Sequence, residues 1–267
     1  MSKNKFRFSR KMLAIPYGMF LMLFVIVPLI LVVYFAFTDI DGHFTFDNVI
    51  DFFSDSTNIN TLLISVLIGV GNTIICLIIG YPIAYIIAKK ENKMSFILIL
   101  LFVMPMWINF VLRTAATRDL LTWIGISGGD HPYIATMIGM AYNYLPFVIL
   151  PLYTTMIKMD RSQIEASMDL GANRFQTFIK TVIPMTMPGI ISAVSMVFMP
   201  TMSSYVISDV LGERKISLIG NIIQTYFDQI MWNMGSLVAL IMMIFIFIGM
   251  FITRNSQKEE LSRGNLW

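Results

Sequence analysis

The residues of this 267-residue chain best suited to chemistry are carboxylates and aromatic rings set at the rims of apolar runs. Asp209 directly follows one such run, beside Tyr205 and Ser208, and Asp119 follows another, beside Arg113 and Arg118. Ionisable groups near membrane depth are costly and usually have a role. With the faces of Trp107, Trp123, Tyr142, Tyr144 and Tyr205, the two carboxylates could guide an extended polycation, each aromatic contact contributing roughly 0.5–2 kcal/mol of cation–π attraction. The competing account is structural: Asp119 pairs with Arg118 or Arg113, and the rings form an interfacial belt.

Such chemistry is binding, with no bond made or broken. The sequence has no G-x4-G-K-[ST] phosphate loop, no H-E-x-x-H, no Cys/His cluster and no G-x-S-x-G elbow. Its two histidines, His43 and His131, fall in polar loops, and its single cysteine, Cys76, lies in an apolar run, so neither an internal disulfide nor a cysteine-based metal site is available. The expectation is a non-enzymatic chain that binds no cofactor and no metal.

A different kind of element stands between two long apolar runs: the polar stretch Glu165–Pro184, EASMDLGANRFQTFIKTVIP. Ser162 and Glu165 fit an S-x-x-E capping box, which predicts a short helix beginning at Ser162. Gly171 ends that helix, Asn173 with Gln176 caps a second one through Val182, and Pro184 stops it. Ile164, Met168, Phe175, Phe178 and Ile179 recur at helical spacing, while Asp169, Arg174 and Lys180 stay polar. The product reads as a bent helix pair for docking another protein. The plainer reading is an amphipathic surface pair in which Glu165 only caps.

At Glu165, Ala166, Gly171, Ile183 and Pro184 the stretch resembles the EAA signature, E-A-A-x3-G-x9-I-x-L-P, of ABC importer permeases. Ser167 stands for the second Ala, Thr181 for the Ile and Ile183 for the Leu, all small or apolar exchanges. Further stretches, MPMWINFVLRT (Met104–Thr114), YNYLPFVILPLY (Tyr142–Tyr153), YVISDVLG (Tyr205–Gly212) and LIGNIIQ (Leu218–Gln224), are similar to the first of the two permeases of spermidine/putrescine importers. The resemblance covers most of Pro82–Phe251 and implies the MetI-like fold of type I ABC importer permeases. It also implies that residues 161–184 are a cytoplasmic coupling segment, with Glu165, Ala166, Ser167, Asp169, Gly171, Ile183 and Pro184 engaging an ATPase.

Composition reaches the same class independently. Hydrophobic residues make up 57% and charged ones 13%, with mean hydropathy +0.74, outside the range of a water-soluble domain. A bilayer asks for about 20 apolar residues per helix. Leu13–Phe37, Leu62–Ala88, Ser95–Leu112, Tyr133–Ile157, Thr186–Ile207 and Ser236–Thr253 meet or approach that length, which predicts an all-α membrane protein of six transmembrane helices in a single domain, 1–267. Gly69, Gly71 and Gly80 offer close helix approach.

With the N-terminus inside, 15 of the 19 Lys and Arg face the cytoplasm, including Lys3, Lys5, Arg7, Arg10, Lys11, Lys90, Lys93, Arg254, Lys258 and Arg263. The outer loops are then Thr38–Asn60, Thr114–Pro132 and Ser208–Gly235, and they hold most of the acids, with Asp39, Asp41, Asp47, Asp51 and Asp55 in the first. That loop could concentrate cations or dock a binding protein. The third reads as helical over Ile216–Met231, and Asn255–Gly264 as a solvated charged tail.

Together these observations predict a permease in a bacterial cell membrane, both termini cytoplasmic, carrying polyamines along a path that includes Trp107, Asp119, Tyr142, Tyr144, Tyr205 and Asp209. The implied partners are an ABC ATPase dimer that holds ATP and Mg, a second permease subunit in a heterodimer, an extracellular or periplasmic substrate-binding protein and membrane lipid, with no nucleic acid. The alternatives are another small solute (sulfate, iron or thiamine) and an ATPase-independent channel.

Overall fold

A helix apolar on every side cannot be buried by a chain this short, so its outer face must be solvated by lipid, and every backbone polar group it frees must be satisfied within the protein. The computed structural model describes residues 14–89 and 93–264, helical throughout except for connecting loops and one β-bridge, Thr38 to Phe44. Leu13, Lys3, Lys5, Arg7, Arg10, Lys11 and Lys90, and the side chains of Lys93, Arg254, Lys258 and Arg263, lie outside the described residues.

Among the described residues four helices are long and apolar enough to cross a bilayer: Pro16–Ala36, Ser56–Lys89, Pro132–Met156 and Trp232–Phe251. Two more candidates are bent pairs, Met94–Trp107 with Phe110–Trp123 at 99° and Arg174–Met185 with Met187–Met202 at 66°, which bring the total to as many as six. The runs expected as the third and fifth spans are therefore the ones that break.

The third breaks because Pro105, which has no N–H to give the ladder, tightens Met104–Trp107 into a 3-10 turn, and Ile108 follows in extended backbone. Asn109 then restarts the chain as α6 (Phe110–Trp123), its side chain accepting from the amides of Val111 at 2.9 Å and Leu112 at 3.4 Å. Ser95–Leu112 is thus not one helix, and the expected loop Thr114–Pro132 is helical as far as Trp123.

Near the fifth run, Pro184 does not stop the helix as expected. A π turn, Phe178–Val182, precedes it, Pro184 takes the start of α10 (Ile183–Met185), and the bend falls at Thr186. Thr186 Oγ1 lies 2.9 Å from the Val182 carbonyl and 2.7 Å from the Tyr81 hydroxyl. The following helix, α11 (Met187–Met202), ends before Ile207, and a turn at Ser203 and Ser204 separates it from α12 (Tyr205–Leu211). At the C-terminal end the expected solvated tail is helix, α14 (Trp232–Gly264) continuing beyond Thr253.

Contacts gather the chain into two compact units. One comprises Met1–Ser56 and Ile223–Met243, with α1 (Ala14–Leu21), α2 (Val27–Ala36), α3 (Asp47–Ser54) and the beginning of α14. Within it the carbonyls orphaned at the end of α2 find side-chain amides: Asn233 Nδ2 donates to Thr38 O at 2.6 Å, and Asn48 Nδ2 to Ala36 O at 3.2 Å and Thr38 O at 2.9 Å.

The other unit comprises Thr57–Ile222 and Ile244–Trp267. In it α7 (Pro132–Met156) packs along α11, and Cys76, Met140, Val148, Ile149, Leu152 and Val197 are buried in its core. Gly80 of α4 (Ser56–Lys89) lets that helix approach Val148, and Gly69 lets it approach Phe198 and Met202. Polar side chains hold these helices in register. Asn72 Nδ2 donates to Thr201 Oγ1 at 2.9 Å, and Ser65 Oγ accepts the Ile219 amide at 2.8 Å, fixing the start of α13 (Ile219–Asp228). Such bonds contribute about 0.6–2 kcal/mol each in lipid.

Gly220 lies against the backbone of Ser203, so a methyl group there meets a carbonyl that cannot move aside. Gly220→Ala is expected to destabilise the protein by roughly 1–3 kcal/mol, read as a lower melting temperature in detergent.

Candidate functional site

The stretch around Glu165 owes its shape to local hydrogen bonding. Helix α8 (Arg161–Asp169) is capped by Asp160 and not by Ser162 as expected: the Asp160 side chain accepts the Ser162 amide at 3.0 Å. A carboxylate two residues earlier meets an orphan donor of the first turn, the Ser162 amide, and also suits the positive end of the helix. At the other end Gly171 adopts φ +88°, its amide reaching Met168 O at 2.9 Å while that of Ala172 reaches Ser167 O at 3.2 Å. This is a Schellman cap, which a residue without Cβ closes cheaply. Asn173 and Gln176 then form the expected reciprocal capping box on α9 (Arg174–Thr177), at 2.8 and 3.0 Å.

The two short helices are joined by a Ser167 to Thr177 hydroxyl bond of 3.3 Å and anchored where Tyr81 and Tyr85 meet the edge of Phe178. Glu165, Ala166, Asp169, Gly171 and Pro184 are exposed, and Ser167 and Ile183 half-buried. Glu165 makes no ion pair among the described residues and lines a groove of about 350 Å³ with Tyr85, Lys89, Arg161, Arg174 and Phe178. Leu170 at 89% and Phe175 at 71% exposure are large apolar surfaces on a stretch otherwise fit for water.

The other candidate residues do not form one cluster. Trp107 and Trp123 are exposed, and Asp119 is held by its neighbour Arg118, at 3.0 Å from Nε and 2.8 Å from the terminal nitrogen. This is the structural account weighed above, with Arg118 and not Arg113 as partner. Asp119 also shares a shallow depression with Thr122, Trp123 and Glu213. Tyr205, 38% exposed, begins α12.

Asp209, half-buried, accepts from Asn221 Nδ2 at 2.5 Å, and Asn221 Oδ1 in turn accepts the Ser208 hydroxyl at 2.9 Å and the Leu218 amide at 2.8 Å. Burial pushes the Asp209 carboxyl above its usual range, against the opposing pull of Arg214 and the Asn221 donor.

Tyr142 is brought to a residue that the sequence places between the third apolar run and the loop after it. Arg113, in the first turn of α6, is 8% exposed, with its guanidinium carbon 5.7 Å from the centre of the Tyr142 ring. Its terminal nitrogen donates to Pro105 O at 3.0 Å across the break in the third run. Tyr144 itself is buried and donates to Pro200 O at 3.3 Å. The available signal was Pro105 followed by a good cap at Asn109, which puts Arg113 inside a helix start.

Because the Ser162 amide holds the Asp160 carboxyl below the usual range, the cap is complete above pH about 4 and is lost as pH falls through the lowered value. Asp160→Ala should speed hydrogen exchange of the Ser162 amide at neutral pH. Asp160→Asn, an equally good cap, should keep the protection and abolish its loss in acid.

No protein-family model matches the chain. It is 34% identical over 247 residues to the spermidine/putrescine transport system permease protein PotB of Escherichia coli (strain K12), covering 84% of this chain and 89% of that one. To the protein of the same description from Haemophilus influenzae it is 34% identical over 262 residues, covering 89% and 90%. Two solved structures share its fold at low identity. One is of a bacterial ABC transporter involved in the import of the acidic polysaccharide alginate (TM-score 0.68, 13% identity, 92% of this chain and 94% of that one). The other is of a bacterial alginate ABC transporter in complex with an alginate pentasaccharide-bound periplasmic protein (TM-score 0.72, 11% identity, 93% of each chain).

Proposed function

The chain belongs to the permease subunits of spermidine/putrescine ABC transport systems, and from that premise we propose that it forms part of the membrane path by which polyamines enter a bacterial cell. It is a multi-pass, non-catalytic subunit. The observation that carries the mechanism is the Glu165–Pro184 stretch: two short helices, capped at three points, that expose Leu170 and Phe175 with an unpaired Glu165 alongside. Such a surface suits a groove in another protein, and the carboxylate suits a cation there.

In this reading residues 1–267 act as one transmembrane domain with both termini cytoplasmic, the arrangement in which most Lys and Arg stay inside. An ATPase dimer binds ATP and Mg and docks on the stretch, a second permease completes the path, and an external binding protein delivers the substrate. Closure of the ATPase pair moves Glu165–Pro184, and the bend at Thr186 passes that motion to α11. Hydrolysis resets it. Asp209 serves the substrate: a carboxylate held in a half-buried site gains more from an arriving ammonium than an exposed one does.

The test is uptake of labelled spermidine and putrescine by vesicles containing the purified complex, with sulfate and iron as competitors. Uptake that needs ATP and ignores both competitors is expected, and competition by either would reassign the substrate. Glu165→Ala and Gly171→Pro should leave membrane insertion intact and uncouple hydrolysis from uptake; wild-type uptake in both refutes the docking role. Asp209→Asn should lower uptake at limiting polyamine about tenfold. Since the Asp209 carboxyl titrates above the usual range, wild-type uptake should decline as pH falls toward that value, and the Asn variant should lose this dependence.

A further inference from the structure

Arg113 is the buried ionisable side chain that the mechanism above leaves without a task. A guanidinium carries five N–H donors, and a buried one is ordinarily saturated by carboxylates and carbonyls. Among the described residues only one of its terminal nitrogens has a hydrogen-bond partner, the Pro105 carbonyl at 3.0 Å. Its Nε is buried with none, and no carboxylate pairs with it. What holds it otherwise is the face of Tyr142, 5.7 Å away. A π face and a carbonyl oxygen are ligands for cations in general, and neither selects a guanidinium over an ammonium.

We propose that Arg113 is a tethered cation occupying the seat, between the Tyr142 face and the Pro105 carbonyl, that an ammonium group of the substrate takes during passage. The side chain then closes the path at rest and is displaced in transport. Three features fit that role. The seat leaves the guanidinium under-satisfied, so it is held weakly enough to leave. The carbonyl that binds it lies at a 99° break, where the 3-10 turn and α6 can change their angle without unwinding a helix. A fixed positive charge in the seat also repels any second cation, which bars polyamines and small ions alike while the path is closed.

The inference rests on the polyamine reading, and its test separates the two. In vesicles carrying the full complex, putrescine equilibration without ATP measures closure and ATP-driven uptake measures function. Arg113→Gln, which removes the charge and leaves only an amide donor on a shorter side chain, should leak putrescine roughly fivefold faster or more, the factor that one lost cation–π contact is worth. Arg113→Lys should stay at the wild-type leak. Should Arg113→Gln fail to assemble, the same leak is expected of Tyr142→Leu and not of Tyr142→Phe, which keeps the ring. An assembled Arg113→Gln complex as tight as wild type overturns the inference and leaves the transport reading standing, as does equal leak from the two Tyr142 variants. A wild-type complex that drives no polyamine uptake overturns both.

Discussion

In hydrocarbon a backbone group that loses its helical partner must find another inside the protein, and the whole structure answers to that constraint. At several places where proline or a change of direction breaks a helix, a polar side chain bonds the backbone. Asn109 takes the amides that begin α6, Arg113 takes the Pro105 carbonyl, Thr186 takes the Val182 carbonyl, and Asn233 and Asn48 take the carbonyls that α2 leaves behind. The breaks are thus built features. They are also where motion costs least, because the bonds that must change are side-chain bonds and the ladders on either side stay whole.

The same rule explains why polar residues of the spans are buried while many of their apolar ones are exposed. Ser65, Asn72 and Thr201 are almost fully covered and hydrogen-bonded, and Leu67, Ile78, Phe96 and Leu101 are uncovered. Lipid solvates leucine as well as a protein core does, so what gathers the helices is close packing at glycine and hydrogen bonding between polar groups. The Glu165–Pro184 stretch obeys the opposite solvent. It is capped as a water-exposed helix pair would be, yet it leaves Leu170 and Phe175 uncovered.

Charge is distributed with equal economy. Arg118 and Asp119 pair at the surface, where the interaction contributes little and either partner can exchange. Asp209 and Arg113 are the charges kept from water, one disfavoured in its ionised form, the other short of partners.

Taken alone, the sequence determined the class of the protein, the apolar runs and the capped helix pair around Gly171. These depend on length, hydropathy and local capping, which are properties of neighbouring residues. Gly171 and the Asn173–Gln176 box were legible for that reason, and Ser162 was misread because Asp160, two residues earlier, caps that helix end by accepting the Ser162 amide itself. Which runs break, and what the broken ends hold, was decided by tertiary structure. Pro105 and Pro184 look alike in sequence, but one lies at a 99° break and the other starts a helix after a π turn, with a 66° bend at Thr186; the side chains that meet these breaks, Arg113 on the Pro105 carbonyl and Tyr81 on the Thr186 hydroxyl, lie on other turns or other helices. Arg113 reads as a charge just past the third apolar run until the fold sets Tyr142 beneath it, since a cation–π contact between residues 113 and 142 has no trace in the spacing of either.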